Sequence, residues 1–353
     1  MRLRTAVVAS ALLAAPLALA AADRVPAETR PLAMTLLHRG HLLNHANGRN
    51  PGSSAIVIEK DRGVAVKPGR SARSGAGVFD LGCSTCLPRL INAQAHLTTQ
   101  FGPTTYRDRF RLTPAGYATR GTLFARRTLM AGFTSVRILG DIASESIALR
   151  NAINCGVIAG PHIYTSDHAD PDDGYRIDWL GDSSPLHGNI DTPDNRGKAL
   201  RARYKLGVAV TKIMPSGGAL GESASGNKPP QVAAQLAAIS PEILANAGKA
   251  YRAGARIAFG TVAGAHPHGD GTQEFTYRVE AGMPALASIQ TATFIAVALL
   301  RLPDEFGRIT PGYRVDVITV ASDPLAGVSL LQQIGAVVKD GLVFKRDGHA
   351  AGE

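Results

Sequence analysis

The chain has 353 residues, 45% hydrophobic and 19% charged, with 38 Gly and 21 Pro. This composition excludes collagen-like, coiled-coil and wholly disordered chains, and the length suits one large domain or two medium ones. The formal charge of +10 is scattered, no Lys/Arg block is long enough to be a nucleic-acid arm, and aromatics are only 5%, so no nucleic-acid partner is expected.

The predicted elements begin with an address. Arg2 and Arg4 precede an Ala/Leu/Val run from Ala6 to Ala22, and Ala18-Leu19-Ala20 or Ala20-Ala21-Ala22 suits a signal peptidase. Residues 1–22 therefore read as a signal peptide of an exported protein, periplasmic or secreted. Its removal lowers the charge from +10 to +8. The run is short for a membrane span, and no other stretch is long and apolar enough to cross a bilayer. Residues 23–35 read as a polar lead-in, and His38, His41 and His45 have helix-like spacing that suggests a surface rather than a metal face.

Ser54 to Glu59, Gly63 to Lys67 and Val78 to Leu81 are short strand patterns separated by Gly, Asp-Arg and Ser/Gly turns. Cys83-Ser84-Thr85-Cys86 has the spacing of a redox pair. It lacks the following helix of such a motif, so a disulfide and a simple turn both stand, the turn first. Leu90 to His96 is a strand that places Asn92, Gln94 and His96 on one face. Thr113-Pro114 opens a helix to Met130 that Gly132 ends, followed by a strand from Thr134 to Leu139 and a helix over 144–155. His162 to Ser166 is a strand, Lys198 to Leu206 a helix, and Val208 to Met214 an apolar strand interrupted by Thr211 and Lys212. Helical segments over about 231–252 precede a buried-type strand from Arg256 to Val262. Helices over roughly 272–281 and 284–299, then strands from Asp316 to Ala321 and Ala336 to Phe344 with a turn at Asp340-Gly341, complete the chain. The repeated helix–Gly–strand punctuation indicates βα units around parallel strands.

Three places could carry chemistry at the C-terminal ends of such strands. His96 is able to ligate a metal, although a lone His more often satisfies local hydrogen bonds. Lys212, in a buried strand, either pairs with an acid at the strand end or loses its charge; carbamylation would make it a carboxylate able to bridge two metals. In Gly260 to Asp270, a strand runs into a Gly-rich loop bearing His266 and His268, which are ligands or solvent-exposed loop residues. The acidic loop around His168 lacks a ligand pattern. G-x-S-x-G, P-loop and strand-linked G-x-G-x-x-G motifs are absent.

Taken together, these segments resemble the amidohydrolase superfamily, in particular exported metal-dependent hydrolases similar to Xaa-Pro dipeptidases and imidazolonepropionases. Leu87 to Leu97 (LPRLINAQAHL) resembles the first barrel strand, usually PGLIDxHxHL; Leu129 to Arg137 and Gly160 to Ile163 resemble the next two units. Val210 to Ile213 resembles the strand presenting a carboxylated lysine. Ile257 to Thr261 with Pro267-His268-Gly269 resembles the last barrel strand, and Gly312 to Ile318, Asp323-Pro324-Leu325 and Lys339-Asp340-Gly341 the closing segment.

The resemblance implies an α/β fold: a TIM-like (β/α) barrel over 88–311 and a small composite β-sandwich from 23–87 and 312–346. It implies a divalent metal, zinc by family, and hydrolysis of C–N bonds in amides, dipeptides or cyclic amides, with the oligomeric state left open. The family's ligand set is two His on strand one, the Lys, one His each on strands five and six, and an Asp on strand eight. Here Gln94 takes the first His position, leaving His96 and Lys212 as metal residues. Val262 takes the position of the strand-eight Asp, the general base, and His266 and His268 mark a candidate substrate loop. Between Ile213 and Ile257 no apolar strand ends in His, so the segment for strands five to seven is expected to be missing and the barrel incomplete. The alternative to a hydrolase is a truncated, catalytically inactive relative that binds a ligand or partner.

Overall fold

The computed structural model describes residues 34–43, 52–71, 75–82, 84–140, 144–166, 170–171, 201, 205, 213–214, 244–301 and 306–351. Residues 1–22, Cys83, His45, His168 and Lys212 lie outside the described residues.

The N-terminal third forms strands β1 (Thr35–Arg39), β2 (His41–Leu42), β3 (Ser54–Glu59), β4 (Arg62–Pro68), β5 (Gly77–Asp80) and β6 (Thr85–Pro88). Four of them make a sheet in the order β4-β3-β1-β5. His38 and His41 therefore sit on strands, not on a helix face. β1 is an inner strand, antiparallel to β3 and parallel to β5, and Leu36 and Leu37 face opposite sides of it in separate apolar clusters. Alternation across a strand outweighs the helical spacing of the histidines.

A second sheet joins the two ends of the chain. Strands β12 (Val317–Val320), β13 (Ala336–Lys339), β14 (Leu342–Arg346) and β15 (His349–Ala350) continue into β6 and β2, in the order β15-β14-β13-β12-β6-β2. This sheet is a middle layer. Val317, Val338 and Cys86 point into a cluster shared with Leu37, Ile56 and Ile58 of the first sheet. Their neighbours Ile318, Val337 and Leu87 point the other way, into the largest cluster of the molecule. Burial on both faces is why β12 and β13 read as uninterrupted apolar runs. Cys86 is fully buried inside β6 rather than a turn residue, and Cys155 is exposed and free.

The third sheet is parallel: β7 (Leu90–Ala95), β8 (Phe133–Ile138) and β9 (His162–Thr165), in that order. A single apolar-looking stretch thus splits at Arg89, β6 joining the antiparallel sheet and β7 the parallel one. Helix α1 (Thr105–Arg111), which the sequence reading did not anticipate, α2 (Pro114–Met130) and α3 (Glu145–Asn154) supply the crossovers. Thr113 caps α2 by accepting from the Gly116 N–H, with Pro114 at the first turn where its missing N–H costs nothing. Tyr117, Gly121, Phe124, Ala125, Thr128 and Leu129 form its buried stripe.

On the other edge of β7 lies the extended segment 256–263. The Ala93 N–H donates to the Phe259 carbonyl and the His96 N–H to the Ala263 carbonyl, each at 2.7 Å. It is not a full ladder strand, as expected from Arg256 to Val262; one parallel bridge, Ala95 to Ala263, is formed. Phe259 anchors it between Phe275 and Phe133. The helix expected over 284–299 breaks at Ala292–Thr293 into Ala285–Thr291 and Phe294–Leu299. Two short strands, β10 (Asp170–Pro171) and β11 (Ile213–Met214), pair in parallel apart from these sheets.

Candidate functional site

The parallel strands have two ends, about 23 Å apart over the seven steps from Arg89 to His96 at ~3.3 Å per residue. At the C-terminal end, His96 follows β7 directly. Its Nδ1 lies 3.1 Å from the Gly140 carbonyl beyond β8, a contact in which Nδ1–H donates and orients the ring. Asn92, two pleats earlier, is fully engaged in pairing. Its Nδ2 donates to Thr261 Oγ1 at 2.8 Å, and its Oδ1 accepts from the Gln94 and Thr261 N–H groups. Gln94 packs close to Gly260, where an added Cβ would come within 3.3 Å of the Gln94 Cβ.

Val262 sits beside this strand end with φ +53°, in the left-handed region that β-branched residues enter rarely and at a cost. The kink turns the chain into a tight loop: the Ala265 N–H donates to the Val262 carbonyl, and Gly264 lies against His96. His266 folds back on the same loop, Nε2 3.1 Å from the Thr261 carbonyl and Nδ1 3.0 Å from the Pro267 carbonyl.

His268 is buried, not a solvent-exposed loop residue. Its ring stacks on Phe124 at 4.5 Å, its Nε2–H donates to the Thr99 carbonyl at 2.9 Å, and its N–H donates to Gln100 Oε1. Burial pushes its pKa down to about 4, against the pull of the Thr99 carbonyl. It pins the loop to α2 and to the residues after β7.

The structure thus brings His96, Gln94 and Val262 to one place, with His266 and His268 on the adjoining loop. Among the described residues there, the His96, His266 and His268 imidazoles are each turned to a backbone carbonyl. Val262 has no donor atom and Gln94 is a weak neutral ligand. These donors do not fit a two-metal centre, whose closed shell requires several anionic or imidazole ligands.

The N-terminal end holds the group that sequence reasoning missed. Among the described residues, His162, Asp316 and Asp340 are the His/Asp set whose ligand atoms lie within 4.8 Å of one another. His162 opens β9, Asp316 precedes β12, and Asp340 is in the β13–β14 turn. Asp316 Oδ2 accepts from Thr134 Oγ1 at 2.6 Å and pairs with Arg89 Nη2 at 3.0 Å, and its Oδ1 accepts from the Asp340 N–H. Asp340 pairs with Lys339 Nζ at 2.8 Å and lies 3.1 Å from His162 Nε2.

Burial pushes the Asp340 carboxyl up, but His162 and Lys339 more than reverse this and hold it well below the usual range. Burial also keeps His162 neutral against the attraction of Asp340 and Asp316. With Arg89 and Lys339 already neutralising both carboxylates, a divalent cation would meet two buried positive charges. The group is an ionic clamp between the parallel sheet and the antiparallel one. The sequence signal for it was charge of both signs beside apolar strands: Arg89 before β7, Asp316 before β12, Lys339 at the end of β13.

Residues 222–343 match the model of the amidohydrolase family. Among solved structures, the chain is similar to a Xaa-Pro dipeptidase with methionine bound in its active site, at 26% identity and a TM-score of 0.80 over 88% of this chain and 100% of that one. It is also similar to a prolidase complexed with N-methylphosphonate-L-proline, at 19% identity and TM-score 0.76 over 89% and 100%. The ochratoxinase of A. niger matches at 20% identity and TM-score 0.72 over 89% and 96%. A search of curated proteins gives no significant match.

Proposed function

We propose that this chain, a mixed α/β relative of the amidohydrolase superfamily, descends from metal-dependent hydrolases of C–N bonds and receives small amides, dipeptides or cyclic amides at the C-terminal end of β7–β9. The observation carrying this is the register of β7 with segment 256–263. It sets His96 beside Val262 and Gln94, which supports reading these as the positions of the ancestral ligands and base. The architecture we infer is a (β/α) barrel shortened between Ile213 and Ile257, with a composite β-sandwich drawn from both ends of the chain. Export follows removal of residues 1–22, which N-terminal sequencing of the mature protein would test.

What the residues can do is narrower than the descent. In hydrolases of this type the metal supplies an activated water and a carboxylate, acting as general base, accepts its proton. Here His96, oriented by the Gly140 carbonyl, would offer at most one ring nitrogen to a hydrogen-bond donor or a metal. Val262 cannot take a proton, which favours a second reading: a catalytically inactive relative that binds such a ligand.

Metal content and dipeptide turnover of the purified full chain separate the two readings. We expect less than one equivalent of zinc and negligible turnover. Joint replacement Gln94→His with Val262→Asp should raise both, whereas Val262→Asp alone should not. Stoichiometric zinc with metal-dependent turnover in the unaltered chain would establish the hydrolase and remove the inactive reading.

A further inference from the structure

At the opposite end of the parallel strands, next to the ionic clamp, is a cavity of about 490 Å³. That volume lies in the range of small-molecule sites. Its walls are two hairpin tips, the N-terminal end of β9 and the C-terminal end of α3. The tips touch: an added Cβ on Gly341 would fall 2.0 Å from the Lys60 carbonyl oxygen, so only glycine fits there. Each tip carries a non-glycine residue in the left-handed region, Lys60 at φ +57° and Asp340 at φ +52°. Both of these residues line the cavity.

The charges decide what the cavity accepts. Lys60, Arg314 and Lys339 face it, against Asp61 and Asp340. Arg314 Nε lies 3.2 Å from Asp61, and Lys339 Nζ 2.8 Å from Asp340. Lys60 has no acidic partner among the described residues, so the lining carries one uncompensated positive charge. Lys60 is exposed, so its charge is free to meet an anion entering the cavity. His162 Nε2, at the cavity wall, faces Asp340 at 3.1 Å. Ile153 and Ile163 add apolar surface. A cation is disfavoured because both nearby carboxylates are already paired.

We propose that this cavity binds a small organic carboxylate with an apolar body, its oxyanion held by Lys60 and its hydrocarbon part lying against Ile153 and Ile163. The site is separate from the His96 end and does not depend on the function proposed for it.

Calorimetric titration of the full chain with 3-phenylpropionate, inorganic phosphate and 3-phenylpropylamine tests the proposal. Saturable binding of phenylpropionate, with phosphate and the amine much weaker, is expected. Lys60→Met keeps the aliphatic stem of an exposed side chain and should weaken phenylpropionate roughly tenfold, the effect of losing one charged hydrogen bond. Lys60→Arg should retain affinity and His96→Ala should leave it unchanged. The assignment is overturned by absence of saturable binding, by phosphate or the amine binding as tightly, by indifference to Lys60→Met, or by loss of binding in His96→Ala.

Discussion

Acidification should loosen this protein well before its carboxylates titrate, and His268 is the reason. In the fold its imidazole is 4% exposed, stacked on Phe124 and bonded to the Thr99 carbonyl, with a pKa lowered from 6.5 to about 4. Unfolding releases the ring to its ordinary value, so between those limits the unfolded chain binds more protons and stability falls with pH. At pH 5 the loss from this one residue is about 2 kcal/mol, from a shift of roughly 2.5 units at 1.36 kcal/mol each, partly realised at that pH. His162, also lowered by burial, acts in the same direction, while Glu274, raised by burial, acts in the opposite one. Asp340 and Asp108 have lowered values, so their contribution is present above the ordinary carboxylate range and is lost only as pH falls below it. The assay is urea unfolding of the unaltered chain and of His268→Asn at pH 7.5 and pH 5. The variant is less stable at pH 7.5 because it lacks the stacked ring, but its loss on acidification should be smaller by about 2 kcal/mol. Equal losses in the two proteins, or an NMR titration of His268 near 6.5, would refute the burial argument.

Asp316→Asn removes the counter-charge of Arg89, whose side chain is 1% exposed, and should cost about 3–5 kcal/mol in urea unfolding. The double change Arg89→Met with Asp316→Leu should cost less than Asp316→Asn alone, because no buried charge is then left unpaired. Val262→Asn should stabilise the chain by about 1 kcal/mol, since Asn enters the left-handed region more easily than a β-branched residue. An unchanged or lowered urea midpoint would show that the valine side chain contributes more packing than its backbone costs.

Much of the layer structure was legible in the sequence because burial follows the period of the element. Thr113-Pro114 and Gly132 bracket α2 through capping and a left-handed glycine at φ +92°, and the expected bounds of β3 match the observed ones. The misses have physical causes. Thr35–Arg39 was read as part of a lead-in and a histidine face, because its apolar pair Leu36 and Leu37 shows no alternation when both faces of the strand are buried. Arg89 hid a change of sheet inside one apolar run. At the candidate site, His96 was legible from its strand, whereas Gln94 and Val262 stood out only through the resemblance to the amidohydrolase pattern. Their proximity depends on hydrogen bonds between residues more than 160 positions apart, such as Asn92 to Thr261. His268 could not be read as buried, since its partners Thr99 and Phe124 are equally remote in sequence.

The two ends of β7 have been under different physical demands. At Arg89 the guanidinium is held by Asp316, Ser135 and the Phe306 ring, so removing Asp316 leaves a charge stranded in the interior. At the His96 end Gln94 and Val262 carry no charge, so neither requires an ionic partner or the desolvation of a charge. Substitutions at the His96 end should therefore disturb folding less than substitutions around Arg89, and urea unfolding of Gln94→Ala beside Asp316→Asn checks this.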